Sequence, residues 1–365
     1  MEAFQAAIRE VVRPGDVVLD MGTGTGILGL LACRAGAKRV YSVDRGPIIE
    51  LARKICAANG LQDRVVFLKG LSTQIELPEK VDVVIADQLD CAGFEAGLLH
   101  YFADAKLRFL KPGGRMIPAI VDFLIAAVQC DAHWRDVAFW NEPQAEFSFA
   151  PVYEVATNVA YALPAGAAQL LSAPVTGQIV EFARSIPSRL DIDCRIPIER
   201  AGTFHGLLCW FSAQLSETVT LTNAPFSQTR ADRRCTFLPV RAPLEVTEGS
   251  AFRCTIKAPF SQRLVHWTAE FESNGAALNE GSVRFAHSTF KGSLLCPEEL
   301  AKTSAACHPT LSAHGQATLS ALRMIGEGLS VGAVQAKLRS EHPALFRSED
   351  DCSAFVAEIV RKHTV

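Results

Sequence analysis

The chain has 365 residues, of which 49% are hydrophobic and 21% charged, a balance that suits a globular protein of two or three domains with a large core. Its 36 basic and 39 acidic residues leave a net charge of −3 without a polybasic run, which argues against strong sequence-independent binding to nucleic-acid phosphates. Eleven cysteines without a C-x-x-C pair read as reduced thiols in a cytoplasmic protein rather than as a disulfide framework or metal site, and no apolar run is long enough to span a membrane.

The opening stretch alternates short apolar strands with helical segments. Strands are expected over 17–20, 39–44, 65–69 and 81–87, and helices over 28–35, 48–59 and 94–110. That alternation implies an α/β fold, a Rossmann-like parallel sheet with helices on both faces, over residues 1–120. Phe109 to Pro118 reads as a helix end, a Pro-Gly turn and a new strand.

Residues 17–28, VVLDMGTGTGIL, run from an apolar strand into an acid, three alternate glycines and a helix. Glycines are needed where backbone takes φ > 0 or approaches a ligand closely. A nicotinamide or flavin fingerprint reads G-x-G-x-x-G, whereas here G-x-G-x-G follows Asp20 directly. Asp20 would repel a pyrophosphate but suits a ligand with an amino group. The second strand ends in Asp44, placed to bind ribose hydroxyls. A ribose, an amino group and no phosphate describe S-adenosylmethionine, which is the expected cofactor. The candidate binding set is Asp20, Gly22, Thr23, Gly24, Gly26, Ile27, Leu28, Asp44 and Arg45.

Beyond Pro118 the texture becomes β-rich. Strands are expected over 121–129, 174–182, 203–212, 218–221, 235–239, 252–256, 265–271 and 282–286, which suggests a β-barrel domain over 121–295. An irregular insertion over about 131–172 carries Trp134 and Trp140 and reads as an arm that docks on a second copy, or as a covering flap. Residues 296–365 form a helical module with helices over 311–326, 331–342 and 348–363, the last capped by Ser348. This module reads as a structural cap, with a faint likeness to PqqD-like peptide-holding domains as the alternative.

The order VLDMGTGTGIL, RAGAKRVYSVD, EKVDVVIAD, LKPGGRMIP, followed by the β-rich half, resembles the protein arginine methyltransferases over roughly residues 3–290. The resemblance implies a loop after the fourth strand with two acids that grip a substrate guanidinium. Two carboxylates suit that planar fork of donors. Glu95 matches the second acid. Asp87 stands at the first, one carbon shorter, with Asp90 in reserve. Ser72 and Thr73 fall near the expected adenine edge. The family's Thr-His-Trp element is absent: Arg230, Ala231 and Asp232 stand there, and His266-Trp267 comes on a later strand, where it reads as a core pair. The family also carries helices before the first strand and an arginine for the cofactor carboxylate; here Met1 to Val12 precede the strand and Arg9 is the candidate.

The expected activity is N-methylation of a guanidinium or amine in a protein or peptide. The alternatives are N- or O-methylation of a small molecule such as free arginine, and a peptide-binding pseudo-enzyme. The intact glycine turn with both aspartates argues against the last.

Overall fold

The computed structural model describes residues 1–93, 97–259, 264–272, 283–294 and 296–364. The chain divides into two compact units, Met1–Leu294 and Leu295–Val365.

The first unit begins with α1 (Glu2–Val11), β1 (Val17–Met21), α2 (Ile27–Arg34), β2 (Arg39–Asp44), α3 (Ile48–Ala58), β3 (Val65–Lys69), β4 (Val81–Ile85), α4 (Leu98–Arg108) and β5 (Leu110–Ile117). The five strands form one sheet in the order β3-β2-β1-β4-β5, all parallel. Parallel strands covered on both faces read as continuous apolar runs, and all five residues of β1 are buried. The chain leaves β1 toward β2 on one side, while β4 continues to β5 on the other. That reversal opens a crevice at the carboxyl ends of β1 and β4, where open α/β sheets bind ligands.

Two boundaries differ from expectation. The fourth strand stops at Ile85, two residues before Asp87, so the acid stands in the loop rather than in the strand. The Pro-Gly turn lies inside β5: its pairing with β4 jumps from Val81–Leu110 to Val83–Arg115, and Gly113, at φ 72°, lets residues 111–114 loop out without ending the strand.

The β-rich half comprises β6 (Ile120–Gln129), α5 (Asp131–Ala138), α6 (Ala150–Ala156), β7 (Tyr161–Leu163), β8 (Gln169–Leu170), β9 (Val175–Glu181), β10 (Arg189–Pro197), β11 (Gly202–Gln214), β12 (Thr220–Thr222), β13 (Cys235–Val246), β14 (Ala251–Pro259), β15 (His266–Glu272) and β16 (Arg284–Ser288). Where a barrel is expected, the hydrogen-bonded ladders form two antiparallel sheets: one of seven strands built around β13-β11-β6, and one of four in the order β10-β14-β15-β16. Their apolar faces share a core that includes Phe204, Phe211, Phe252 and Trp267. The Trp267 indole donates to the Pro239 carbonyl at 2.9 Å, tying one sheet to the other. Of the expected His266-Trp267 core pair, only Trp267 is fully buried; His266, on the opposite face of the strand, is exposed.

The expected arm is not irregular. Helices α5 and α6 pack Trp134, Val137, Tyr153 and Ala156 together, while β7 and β8 join the large sheet. Trp134 is only 7% exposed and stacks on His205 of β11, so it anchors the insertion to its own chain.

The second unit holds α7 (Pro297–Lys302), α8 (Ala313–Gly326), α9 (Val331–Glu341) and α10 (Glu349–His363). Ser312, Ser330 and Ser348 each cap α8, α9 or α10 by accepting a backbone N–H, and Asp351 completes a capping box with Ser348. Ala317, Ala321, Val334, Leu338, Cys352 and Val356 form its fully buried centre.

Candidate functional site

The turn after β1 is held by its acid. Gly22, Gly24 and Gly26 take φ of 67°, 53° and 88°, a region that costs a side-chain-bearing residue energy. Asp20 turns inward beneath them, 1% exposed. Its Oδ2 accepts from the Thr23 hydroxyl at 2.5 Å and from the Gly29 N–H at 3.0 Å, which fixes the first turn of α2. Its Oδ1 is buried without a partner. Burial, against the pull of those hydrogen bonds, pushes the Asp20 carboxyl up to about 6.

Asp44, at the end of β2, accepts from the Gly24 N–H at 2.9 Å and the Gly46 N–H at 2.7 Å, one on each oxygen. Each oxygen keeps lone-pair capacity for a further donor. Beside it lies a cavity of about 270 Å³ whose walls include Gly22, Asp44, Arg45, Ser72, Gln88 and Tyr101. A Cβ on Gly22 would come within 2.7 Å of the Gln88 side-chain nitrogen and push that side chain aside, and its φ of 67° favours glycine in any case. The Gln88 Oε1 is buried and unpaired.

These features fit a nucleoside ligand with an amino group: a carboxylate at the ribose-binding position, a bare glycine backbone, the orphaned Gln88 oxygen as an acceptor in the wall, and the Asp20 carboxyl buried beneath the turn. The structure brings Gly22, Asp44, Arg45 and Ser72 to this crevice, while Asp20 lies buried beneath the turn and does not line it. Thr23, Gly24 and Gly26 shape the turn. Ile27 opens α2 with its side chain 38% exposed, and Leu28 is a core residue at 5%. Thr73 follows Ser72 in one short 3₁₀ turn. Arg9 lies exposed in the last turn of α1. Gln88 and Tyr101 escaped the sequence reading because no motif marks them.

The acid loop is stitched to the β-rich half. Arg233 donates from Nη2 to both oxygens of Asp87, at 2.6 and 2.8 Å, and from Nη1 to the Leu89 carbonyl. Asn223, fully buried, accepts from the Phe211 N–H and donates to the carbonyls of Cys91 at 2.6 Å and Arg234 at 2.8 Å. Gly93 sits against Phe211, where a Cβ would come within 2.9 Å. Asp90 is exposed and accepts from the adjacent Cys91 N–H, a local turn contact. Glu95 lies outside the described residues.

A larger cleft, about 970 Å³, lies along β5 and the end of α1. Three of its cations are already engaged: Lys106 on the Phe182 and Ala183 carbonyls, Lys111 on Asp82 and Arg115 on Asp16. The smaller crevice is walled by Gly22 of the glycine turn and by Asp44 at the end of β2, with Asp20 buried beneath the turn, and is the candidate site.

A parallel sheet of this order, with a glycine turn, a second-strand acid and an antiparallel half behind it, is the architecture of a class I methyltransferase joined to a β domain. The sequence model of the ribosomal protein L11 methyltransferase family (PrmA) matches residues 4–121. The protein arginine N-methyltransferase 1 of Schizosaccharomyces pombe is 30% identical over 254 residues, covering 66% of this chain and 72% of that protein. The chain belongs to the protein arginine N-methyltransferase family. The probable histone-arginine methyltransferase 1.4 of Arabidopsis thaliana is 32% identical over 209 residues, 54% of this chain and 40% of that one. The chain thus spans about two fifths of the length of the first plant relatives it matches. Among solved structures, the Trypanosoma brucei PRMT1 enzyme–prozyme heterotetrameric complex with AdoHcy is similar, with a TM-score of 0.69 at 19% identity, covering 79% of this chain and 93% of that one. The Arabidopsis thaliana protein arginine methyltransferase 10 gives 0.66 at 21%, covering 79% and 94%. Both are likenesses of fold.

Proposed function

We propose that the chain transfers a methyl group from S-adenosylmethionine to a guanidinium or amine nitrogen of a protein or peptide. One observation carries the acceptor class: Asp87, next to the Gln88 that walls the cavity, already grips a guanidinium through both carboxylate oxygens. A loop that holds one planar fork of donors suits another.

The cofactor, when bound, supplies an electrophilic methyl carbon on a sulfonium. Asp44 offers its free lone pairs to ribose hydroxyls, Gly22 leaves room for the backbone to approach, and Asp20 places negative charge beneath an amino group. Asp87 and Glu95 would orient the acceptor nitrogen toward the crevice and take up its proton. Relatives named for arginine methylation support the reading. A homodimer is proposed on the insertion, where Phe139 and Phe147 are 50% and 70% exposed. The buried thiols of Cys33, Cys56, Cys130, Cys235, Cys254 and Cys352 suit a reducing cytoplasm.

One finding favours the small-molecule alternative: Arg230, Ala231 and Asp232 stand where the family carries its Thr-His-Trp element. The test is a mass measurement on peptides that carry a single arginine or a single lysine, incubated with cofactor and either the wild type, Asp87→Asn or Glu95→Gln. A mass gain on the arginine peptide, cut at least about tenfold in both variants, is expected. No gain on either peptide, while free arginine is methylated, would favour the small molecule.

A further inference from the structure

The segment that replaces the expected Thr-His-Trp element does more than leave it out. Ala231 N–H bonds the Thr222 carbonyl at 2.7 Å, and Arg233 N–H bonds the Ala231 carbonyl at 2.8 Å. This tight backbone delivers the Arg233 guanidinium onto Asp87 from the far side of the chain. A guanidinium is the group the acceptor site is built to hold.

We infer that Arg233 is a specificity-determining residue of the acceptor site: a resident guanidinium on Asp87 that an incoming acceptor must displace. This rests on the guanidinium-binding reading of Asp87. A tethered fork sets a threshold. A ligand that offers a single point of positive charge gains less from Asp87 than Arg233 gives up, whereas an arginine held by its flanking peptide can replace the fork with an equal one.

Two observations make the displacement reversible rather than destructive. The pair is only partly buried, with side chains 28% and 26% exposed, so solvent reaches it and its release costs less than that of a fully buried pair. The loop is also held by ties that do not involve Arg233: Asn223 on the Cys91 carbonyl, and Gly93 packed on Phe211. When Arg233 lifts away, Asp87 keeps its place.

The test is binding, measured by calorimetry on protein saturated with S-adenosylhomocysteine. The probe is a capped peptide with one central arginine, with its neutral citrulline counterpart as control. Arg233→Gln should tighten the arginine peptide about tenfold, equivalent to about 1.4 kcal/mol, and leave the citrulline peptide unchanged. Arg233→Lys, which keeps the charge without the fork, should tighten it less. In an Asp87→Asn background the effect of Arg233→Gln should vanish, which a merely structural arginine would not produce. Unchanged or weaker binding in Arg233→Gln, with melting temperature and S-adenosylhomocysteine affinity intact, overturns the inference. Binding to neither protein overturns it too, since nothing then competes for Asp87. If Arg233→Gln fails to fold, Arg233→Lys carries the test with the same sign. Tighter peptide binding without methyl transfer would leave this inference standing while refuting the proposed reaction.

Discussion

Replacing Asp20 with Asn should stabilise the ligand-free protein at neutral pH while weakening its hold on the cofactor. The folded state keeps this carboxyl at about 6, against an ordinary value of 3.8, because burial penalises its charged form. A group whose folded pKa is raised gives its full stability below the unfolded pKa and loses it as pH rises through the folded one. For Asp20 the loss runs between about pH 4 and pH 6 and flattens above. Roughly two pKa units correspond to about 3 kcal/mol of strain carried by the ionised wild type at pH 7.5. Asn keeps an oxygen for the Thr23 hydroxyl and Gly29 N–H and carries no charge. Its amide hydrogens would stand where Oδ1 is buried without a partner, a penalty that does not vary with pH. At roughly 2 °C per kcal/mol, Asp20→Asn should melt about 4–6 °C higher than wild type at pH 7.5, with most of that gap gone at pH 4.5. The assay is a melt of both proteins at both pH values, with and without S-adenosylhomocysteine. The ligand's ammonium should favour ionised Asp20, so wild type gains more on addition. A gap of equal size at both pH values would refute the reasoning, because burial of a charge could not then be its cause.

Asp44→Ala removes the acceptor of two backbone N–H groups and the proposed ribose ligand, and should weaken S-adenosylhomocysteine by about 100-fold in calorimetry; unchanged affinity would discard the assignment. Asn223→Ala strands the Phe211 N–H and the Cys91 and Arg234 carbonyls, so its urea midpoint should fall by the equivalent of about 2–4 kcal/mol, and a loss under about 1 kcal/mol would show those groups satisfied otherwise. His287 is buried against Trp267, and that burial holds its imidazole down to about 4. Its neutral form is the folded one, so stability should hold above about pH 6.5 and fall by up to about 3 kcal/mol toward pH 4. His287→Phe should flatten that acid limb, and an unaltered limb would assign the loss to other groups.

The glycine turn was legible because its chemistry is local: a strand, an acid and three glycines lie within a few residues, and only one backbone path satisfies them. The Ser348 cap of the last helix was legible for the same reason. The partners that matter most at the acid loop were not. Arg233 meets Asp87 across 146 positions, and no periodicity announces such a pair. The segment around Trp134 read as a docking arm or a covering flap because the partner of that tryptophan, His205, lies on a strand far along the chain. One element was missed although its signal was present. In Arg189–Pro197, Leu190, Ile192 and Ile196 point inward while Asp191, Asp193 and Arg195 remain more exposed, a clear strand alternation. The proline-glycine stretch in β5 misled in the other direction, since its turn chemistry makes a bulge within a strand.

The most direct test is to incubate the protein with methyl-labelled S-adenosylmethionine and a lysate of its source, separate the products by size, and hydrolyse the protein fraction. The account predicts label in that fraction, recovered as methylated arginine and abolished by Asp44→Ala. Label confined to small molecules, with none on arginine in protein, would contradict it.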